Sequence, residues 1–346
     1  MSRVIRDCST YENCLTENRT VEINIESDYF QVAAVGCWGV YCNDGIYIKD
    51  KKGERTEVKR GQGLVSKLLK YVHEYSVEIP EFPETPLYDM FLAGDNVYDL
   101  LKKLDADEKE EVKTGYDMER QLRDGFENCF ARSGIQRFFI GIGNHDIEDC
   151  TVLNKQFNYD NPLWNFPALY YNVVYSLKSY KINFIVMDTN MFDDEAKDCS
   201  GVDFTIEQKE TQKNWIREQI ANVGAKYNVI VGHIPYHANG HKKKKHPVYR
   251  QELAEFIRNV NPDLYICADE HNQQVIKDLH PKSKTMIIVC GSGGTDLDPF
   301  VKREDGKGYD FVNGTIRAKS AFGFVVLHFN PNIFSTKFID NEELGL

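Results

Sequence analysis

A layered α/β fold, with helices covering its sheets on both faces, is what this sequence predicts. Two observations carry the prediction. Short β-rich apolar runs recur along the chain, and they are nearly continuous rather than alternating, as in strands buried on both faces. Between them lie amphipathic stretches with apolar residues at helical spacing. A third observation locates the chemistry: most apolar runs end in a burst of polar residues, and in layered α/β folds the loops at strand ends converge on one crevice.

The elements follow in order. Residues 1–28 carry little periodicity beyond VEINI and are expected to form an amino-terminal extension. No internal repeat or Pro/Gly-rich linker divides the remainder, so 29–346 reads as a single domain. FQVAAVG is a strand, and GLVSKLLKYVHEYS is a helix with Leu64, Leu68, Leu69 and Val72 on one face. DMFLAGDNVYD is a strand that ends in a polar turn, and RQLRDGFENCFARSG reads as a helix closed by its glycine. RFFIGIGNHD, NVVYSL, INFIVMDTN, YNVIVGHIP, DLYICADEH and TMIIVCGSGG repeat the strand-then-polar form. TQKNWIREQIANVG and PVYRQELAEFIRNV are amphipathic helices, and FGFVVLHF and STKFID are closing strands. The acidic stretch 104–113 and the lysine run 242–245 read as surface loops or helix ends.

Bulk properties narrow the function. A net charge of -11 argues against a nucleic-acid partner, because neutralising phosphates needs a basic face. No run approaches the ~20 apolar residues that span a bilayer. The start MSRVIRDCST has no apolar signal region, which points to a cytoplasmic protein. Nine cysteines show no CxxC spacing, and reduced thiols are expected. Cys267 and Cys290 sit in apolar runs as buried thiols, and Cys8 and Cys14 are the pair expected to be bridged or exposed.

The strand ends supply Cys37; Asp95, Asn96 and Tyr98; Asn144, His145 and Asp146; His233, His237 and His241; and Asp269, Glu270 and His271. Imidazole and carboxylate at several strand ends suit borderline-to-hard cations. One such residue is commonly a cap or turn-former, but five ends in register imply a shared site. His237 and His246 read as loop histidines.

GDNVY, GNHD and GHIPYH together resemble the motifs of the calcineurin-like metallophosphoesterases, and the tyrosine of GDNVY resembles the purple, or tartrate-resistant, acid phosphatase branch. MDTN, VCGSGGT and AFGFVVLHF sit as in that branch, so the resemblance runs from about residue 30 to 340. It implies a four-layer α-β-β-α sandwich of two mixed sheets. It also implies a phosphomonoesterase with two metal ions, one iron or zinc and one divalent zinc, manganese or magnesium, whose metal-bound hydroxide attacks a small phosphorylated substrate.

By that resemblance Asp95 bridges the metals, and Tyr98 and His271 bind the first. Asn144 and His233 bind the second, and His145 and His241 act on the phosphate and the leaving group. His241 stands one residue out of its expected spacing from His233. Two ligand positions depart from the pattern. Cys37 replaces an aspartate of the first site, and Asp269 replaces a histidine of the second. A carboxylate remains an ordinary donor. A thiolate is soft, so the first site is expected to be weakened for iron, changed towards zinc, or empty. The alternative is a pseudophosphatase acting as a scaffold or phosphate-binding module with a protein partner. The lysine run beside His241 could raise the local potential for an anionic substrate.

Overall fold

Parallel pairing of the buried apolar runs organises the structure. The computed structural model describes residues 10–14, 19–39, 46–49, 55–58, 62–75, 86–98, 121–193, 195–240 and 247–342. Its strands are β1 (Thr20–Asn24), β2 (Phe30–Val35), β3 (Ile46–Lys49), β4 (Arg55–Val58), β5 (Asp89–Ala93), β6 (Arg137–Gly141), β7 (Trp164–Asn165), β8 (Tyr171–Ser176) and β9 (Lys181–Val186). They continue with β10 (Tyr227–Val231), β11 (Leu264–Cys267), β12 (Gln273–Lys277), β13 (Met286–Cys290), β14 (Thr315–Lys319), β15 (Gly323–Phe329) and β16 (Phe334–Asp340). The helices are α1 (Gln62–Tyr75), α2 (Cys150–Phe157), α3 (Ile206–Asn222) and α4 (Pro247–Val260).

One sheet has eight strands in the order β1-β8-β9-β10-β11-β13-β12-β14, and a second has six in the order β16-β15-β2-β5-β6-β7. β3 and β4 form a separate antiparallel hairpin. Both large sheets are mixed. β9, β10, β11, β13 and β14 run one way, and β1, β8 and β12 run the other. β2, β5, β6 and β7 run parallel, with β15 reversing.

The sheets pack face to face through aromatic rings. Phe91 of β5 stacks on Phe184 of β9 with centroids 4.6 Å apart, and Phe30 of β2 lies 4.3 Å from Tyr175 of β8. Helix α1 packs on β15 and β16, while α3 packs on β9 and α4, which completes the α-β-β-α order. Val65, Leu68, Leu69 and Val72 form the buried face of α1, so burial falls on Val65 rather than Leu64. Thr205 caps α3 reciprocally with Gln208, satisfying the first amides of a helix whose composition is otherwise strongly polar.

Three expectations need correction. The segment up to residue 28 does not stand outside the fold. Thr20–Asn24 is an edge strand parallel to β8, and Tyr11 is fully buried with its hydroxyl on Asp188. RQLRDGFENCFARSG is not one helix: Arg123–Glu127 forms a π-helical turn and Phe130–Arg132 a 3-10 turn. Gly125 inside the segment weakens a regular helix, and the irregular path buries both Phe126 and Phe130 against Trp38 and Phe138.

The cysteines are not all reduced. Cys150 and Cys199 form a disulfide, and Cys129 is disulfide-bonded as well. Cys14 is a buried thiol that donates to the Thr10 carbonyl, which excludes it from a bridge with Cys8. Cys267 and Cys290 are buried thiols as expected. Cys8, the acidic stretch 104–113, the lysine run 242–245, His241 and His246 lie outside the described residues.

Candidate metal centre

Because β2, β5 and β6 are parallel neighbours, their carboxyl ends open on one edge, and the ends of β10 and β11 open on the facing edge of the other sheet. Backbone bonds join the two edges: Gly36 N–H donates to the Cys290 carbonyl at 2.9 Å and Gly293 N–H to the Gly36 carbonyl at 3.1 Å. Side chains from five distant segments are thereby brought to one place.

Asp95 occupies the centre, 1% exposed. Its two oxygens face different donors. Oδ2 accepts from the Tyr98 hydroxyl at 2.9 Å and lies 3.8 Å from Cys37 Sγ. Oδ1 lies 3.4 Å from His233 Nε2 and accepts from the His145 backbone N–H at 3.2 Å. Cys37, Asp95 and His271 each place a ligand atom within 4.8 Å of the others. On the opposite side His233 Nε2 is 3.2 Å from Asn144 Oδ1.

Asp269 sits close enough to His233 to act on its charge. Of the residues singled out in the sequence, Cys37, Asp95, Tyr98, Asn144, His145, His233 and His271 converge, and Asp269 flanks them. His237 stands apart, with its ring 3.5 Å from the Asn313 carbonyl.

The backbone is shaped for these side chains. Cys37, Asp95 and Asp269 have φ values of 55°, 54° and 59°, three of the four non-glycine residues with positive φ among those described. Such conformations cost on the order of 1–3 kcal/mol each and gather where function demands a particular aim. Gly143 permits a close approach: a Cβ there would lie 2.6 Å from the Asp95 nitrogen and nearer still to Asp95 Oδ1.

The electrostatics favour a cation. Burial works against a charged His233, yet Asp95 more than reverses this and pushes its pKa up to about 9. The same negative field that holds a proton there would hold a metal ion. His145 shows the same balance: burial opposes its charge, and Asp95 and Glu148, the latter 2.9 Å from Nδ1, leave it raised. Its side chain is 33% exposed, so a substrate can reach it. Asp146, buried near Asp95, is pushed up to about 7 by burial first and that charge second.

Several supporting residues went unassigned in the sequence. His233 donates from Nδ1 to the Ala93 carbonyl at 2.8 Å, which leaves Nε2 as a donor to metal. Thr189 Oγ1 accepts from the His233 and Ile234 backbones. His271 Nδ1 rests on the Asp296 carbonyl at 2.9 Å, and its backbone N–H donates to Asp298 at 2.9 Å. Asp146 accepts from Asn96, Val97, Gly143 and Gln156, and so ties the GDN and GNHD loops together. MDTN and GNHD carried the signal for Thr189 and Asp146; nothing in the sequence pointed to Asp296 or Asp298.

The donor set fits the metal pair that the resemblance implies. Carboxylate, imidazole, amide oxygen, phenol and thiol are all ligand types, and Asp95 presents one oxygen to each half.

Comparison with known proteins agrees. A family model described as Calcineurin-like phosphoesterase matches residues 30–273. Tartrate-resistant acid phosphatase type 5 of Homo sapiens is 22% identical over 221 residues, 60% of this chain and 66% of that protein. The Sus scrofa protein of the same description is 22% identical over 236 residues, 64% of this chain and 66% of that protein. The chain therefore spans just under two thirds of the length of these relatives.

Among solved structures, GAP50, described as the anchor in the inner membrane complex of Plasmodium, superposes with a TM-score of 0.61 at 20% identity, covering 91% of this chain and 85% of that one. Purple acid phosphatase PPD1 from yellow lupin (Lupinus luteus) seeds gives 0.60 at 15% identity, covering 92% and 52%. These likenesses establish the fold.

Proposed function

The chain belongs to the calcineurin-like phosphoesterase family, and from that premise we propose that it hydrolyses phosphomonoesters at a dinuclear metal centre with two altered ligands. The observation that carries this reading is the division of Asp95, one oxygen towards Cys37 and Tyr98 and the other towards His233. Cys37, Asp95 and His271 would hold the first cation, with Tyr98 beside them. Asp95, Asn144 and His233 would hold the second, with Asp269 as a further carboxylate. Two such cations supply the positive charge that activates water near neutral pH and neutralises phosphoryl oxygens.

The chain's own residues do the rest. His145, held on Glu148 and with its ring tilted against that of Tyr98 at 4.5 Å, is aimed to bind a phosphoryl oxygen in its charged form. His241 is assigned the proton for the departing alcohol. The Cys150–Cys199 disulfide favours an oxidising compartment over the reducing cytosol. Among the described residues no helix is long and apolar enough to cross a membrane.

Metal analysis of the purified protein, paired with turnover of p-nitrophenyl phosphate, tests the reading. The expected result is bound metal with turnover that falls about a thousandfold or more in Asp95→Asn, since charge stabilisation worth several kcal/mol is removed. Metal-replete protein without turnover favours the second reading, a phosphate-binding scaffold, which the substitutions at Cys37 and Asp269 motivate and to which the description of GAP50 as an anchor lends support.

A further inference from the structure

We propose that the first cation of this centre is zinc, held by the Cys37 thiolate with Asp95 and His271, and that ferric iron is not its resident metal. The inference rests on the metal-centre reading above and names what that reading leaves open. Cys37 is fully buried, and its Sγ lies 3.8 Å from Asp95 Oδ2. Zinc binds sulfur at about 2.3 Å and oxygen or nitrogen at about 2.0–2.2 Å, so two donors on one tetrahedral zinc stand roughly 3.4–3.6 Å apart. The ligand atoms of Cys37, Asp95 and His271 all lie within 4.8 Å of one another, so side-chain adjustments of about 1 Å would bring them to those values.

His271 is prepared for the role. Its Nδ1 is engaged by the Asp296 carbonyl at 2.9 Å with Asp298 Oδ2 3.8 Å away, an arrangement that fixes the ring and leaves Nε2 basic. Three protein donors with one position open is the pattern of catalytic zinc. In that arrangement Tyr98 serves as a hydrogen-bond donor to Asp95 Oδ2 and need not be a ligand. A thiolate in the donor set shifts preference from a hard ferric ion to a borderline divalent one. The left-handed backbone at Cys37 directs the sulfur into this cluster, and a serine there keeps the shape while removing the soft donor.

Cobalt substitution reads the thiolate directly. Metal-free protein titrated with Co²⁺ is expected to develop an intense near-ultraviolet thiolate-to-cobalt band that zinc bleaches and that Cys37→Ser lacks. Cys37→Asp is expected to lose the cobalt band as well and, loaded with ferric iron, to show a visible tyrosinate band that the unaltered protein does not. Cobalt bound without the band, a band that survives Cys37→Ser, or a ferric tyrosinate band in the unaltered protein would each overturn the proposal. The readout is independent of turnover. Turnover without the band keeps the hydrolase reading and removes the zinc-thiolate site. The band without turnover keeps the site and removes the hydrolase. No cobalt uptake removes both.

Discussion

Cys37, Asp95 and Asp269 could be placed at strand ends from the sequence, because each follows an apolar run and precedes polar residues. Their left-handed backbones could not, since non-glycine residues adopt that region uncommonly and none of the three positions is itself a glycine. The legible markers were the glycines of GCWG, GDNVY and GNHD, while ADEH carries none. Gly143 is the sharpest case, because a methyl group there meets His233 Cε1 at 2.8 Å and lies nearer still to Asp95 Oδ1. Gly143→Ala is therefore expected to push the carboxylate out of place, costing about 1–3 kcal/mol of stability and lowering metal content. Equilibrium unfolding and metal analysis of the variant check both effects; unchanged metal content would mean that Asp95 does not need its present aim.

At the scale of elements, runs that bury both faces were readable and strands made by their neighbours were not. FQVAAV, DMFLA and MIIVC announce β2, β5 and β13 by composition alone. QQVIK and TIRAK do not: β12 exists through antiparallel pairing with β13 and β14, and β14 through its pairing with β12. β15 carries a cost hidden in the same way. His328 lies one residue from its carboxyl end, 3% exposed, and burial first, with the charge of Lys337 second, lowers its pKa to about 4.

An unfolded histidine titrates near 6.5, so between about pH 6.5 and pH 4 the unfolded chain gains a proton that the folded one refuses. Stability is then full above that window and declines by up to about 3 kcal/mol as pH falls through it. Denaturant midpoints measured across that range are expected to fall less steeply in His328→Gln. Parallel slopes in the two proteins would show that the burial of His328 has no such effect.

For the molecule as a whole, two mixed sheets, helical outer layers and the edge where the loops meet followed from the order of motifs. The contacts that cross between sheets did not, because they join residues without local pattern. The disulfide is one of them. Cys150 follows the loop after β6 in the six-stranded sheet, and Cys199 follows the segment after β9 in the eight-stranded one, 49 residues on. Closing a loop of that size contributes about 4 kcal/mol by chain entropy, with measured values commonly 2–4. The double variant Cys150→Ser, Cys199→Ser is expected to lose stability of that order in chemical unfolding and, because GNHD lies just before Cys150, to hold its metals less tightly. Equal stability of the variant and the parent would show the bridge to be incidental.

The pairing of β1 with β8 spans 152 residues between Thr20 and Asn172. During synthesis the first of these strands leaves the ribosome long before the second exists, so it waits unpaired while the intervening chain is made. A chain trimmed at residue 28 would bare the whole flank of β8, and an open flank of that kind invites a stray strand from a neighbouring molecule.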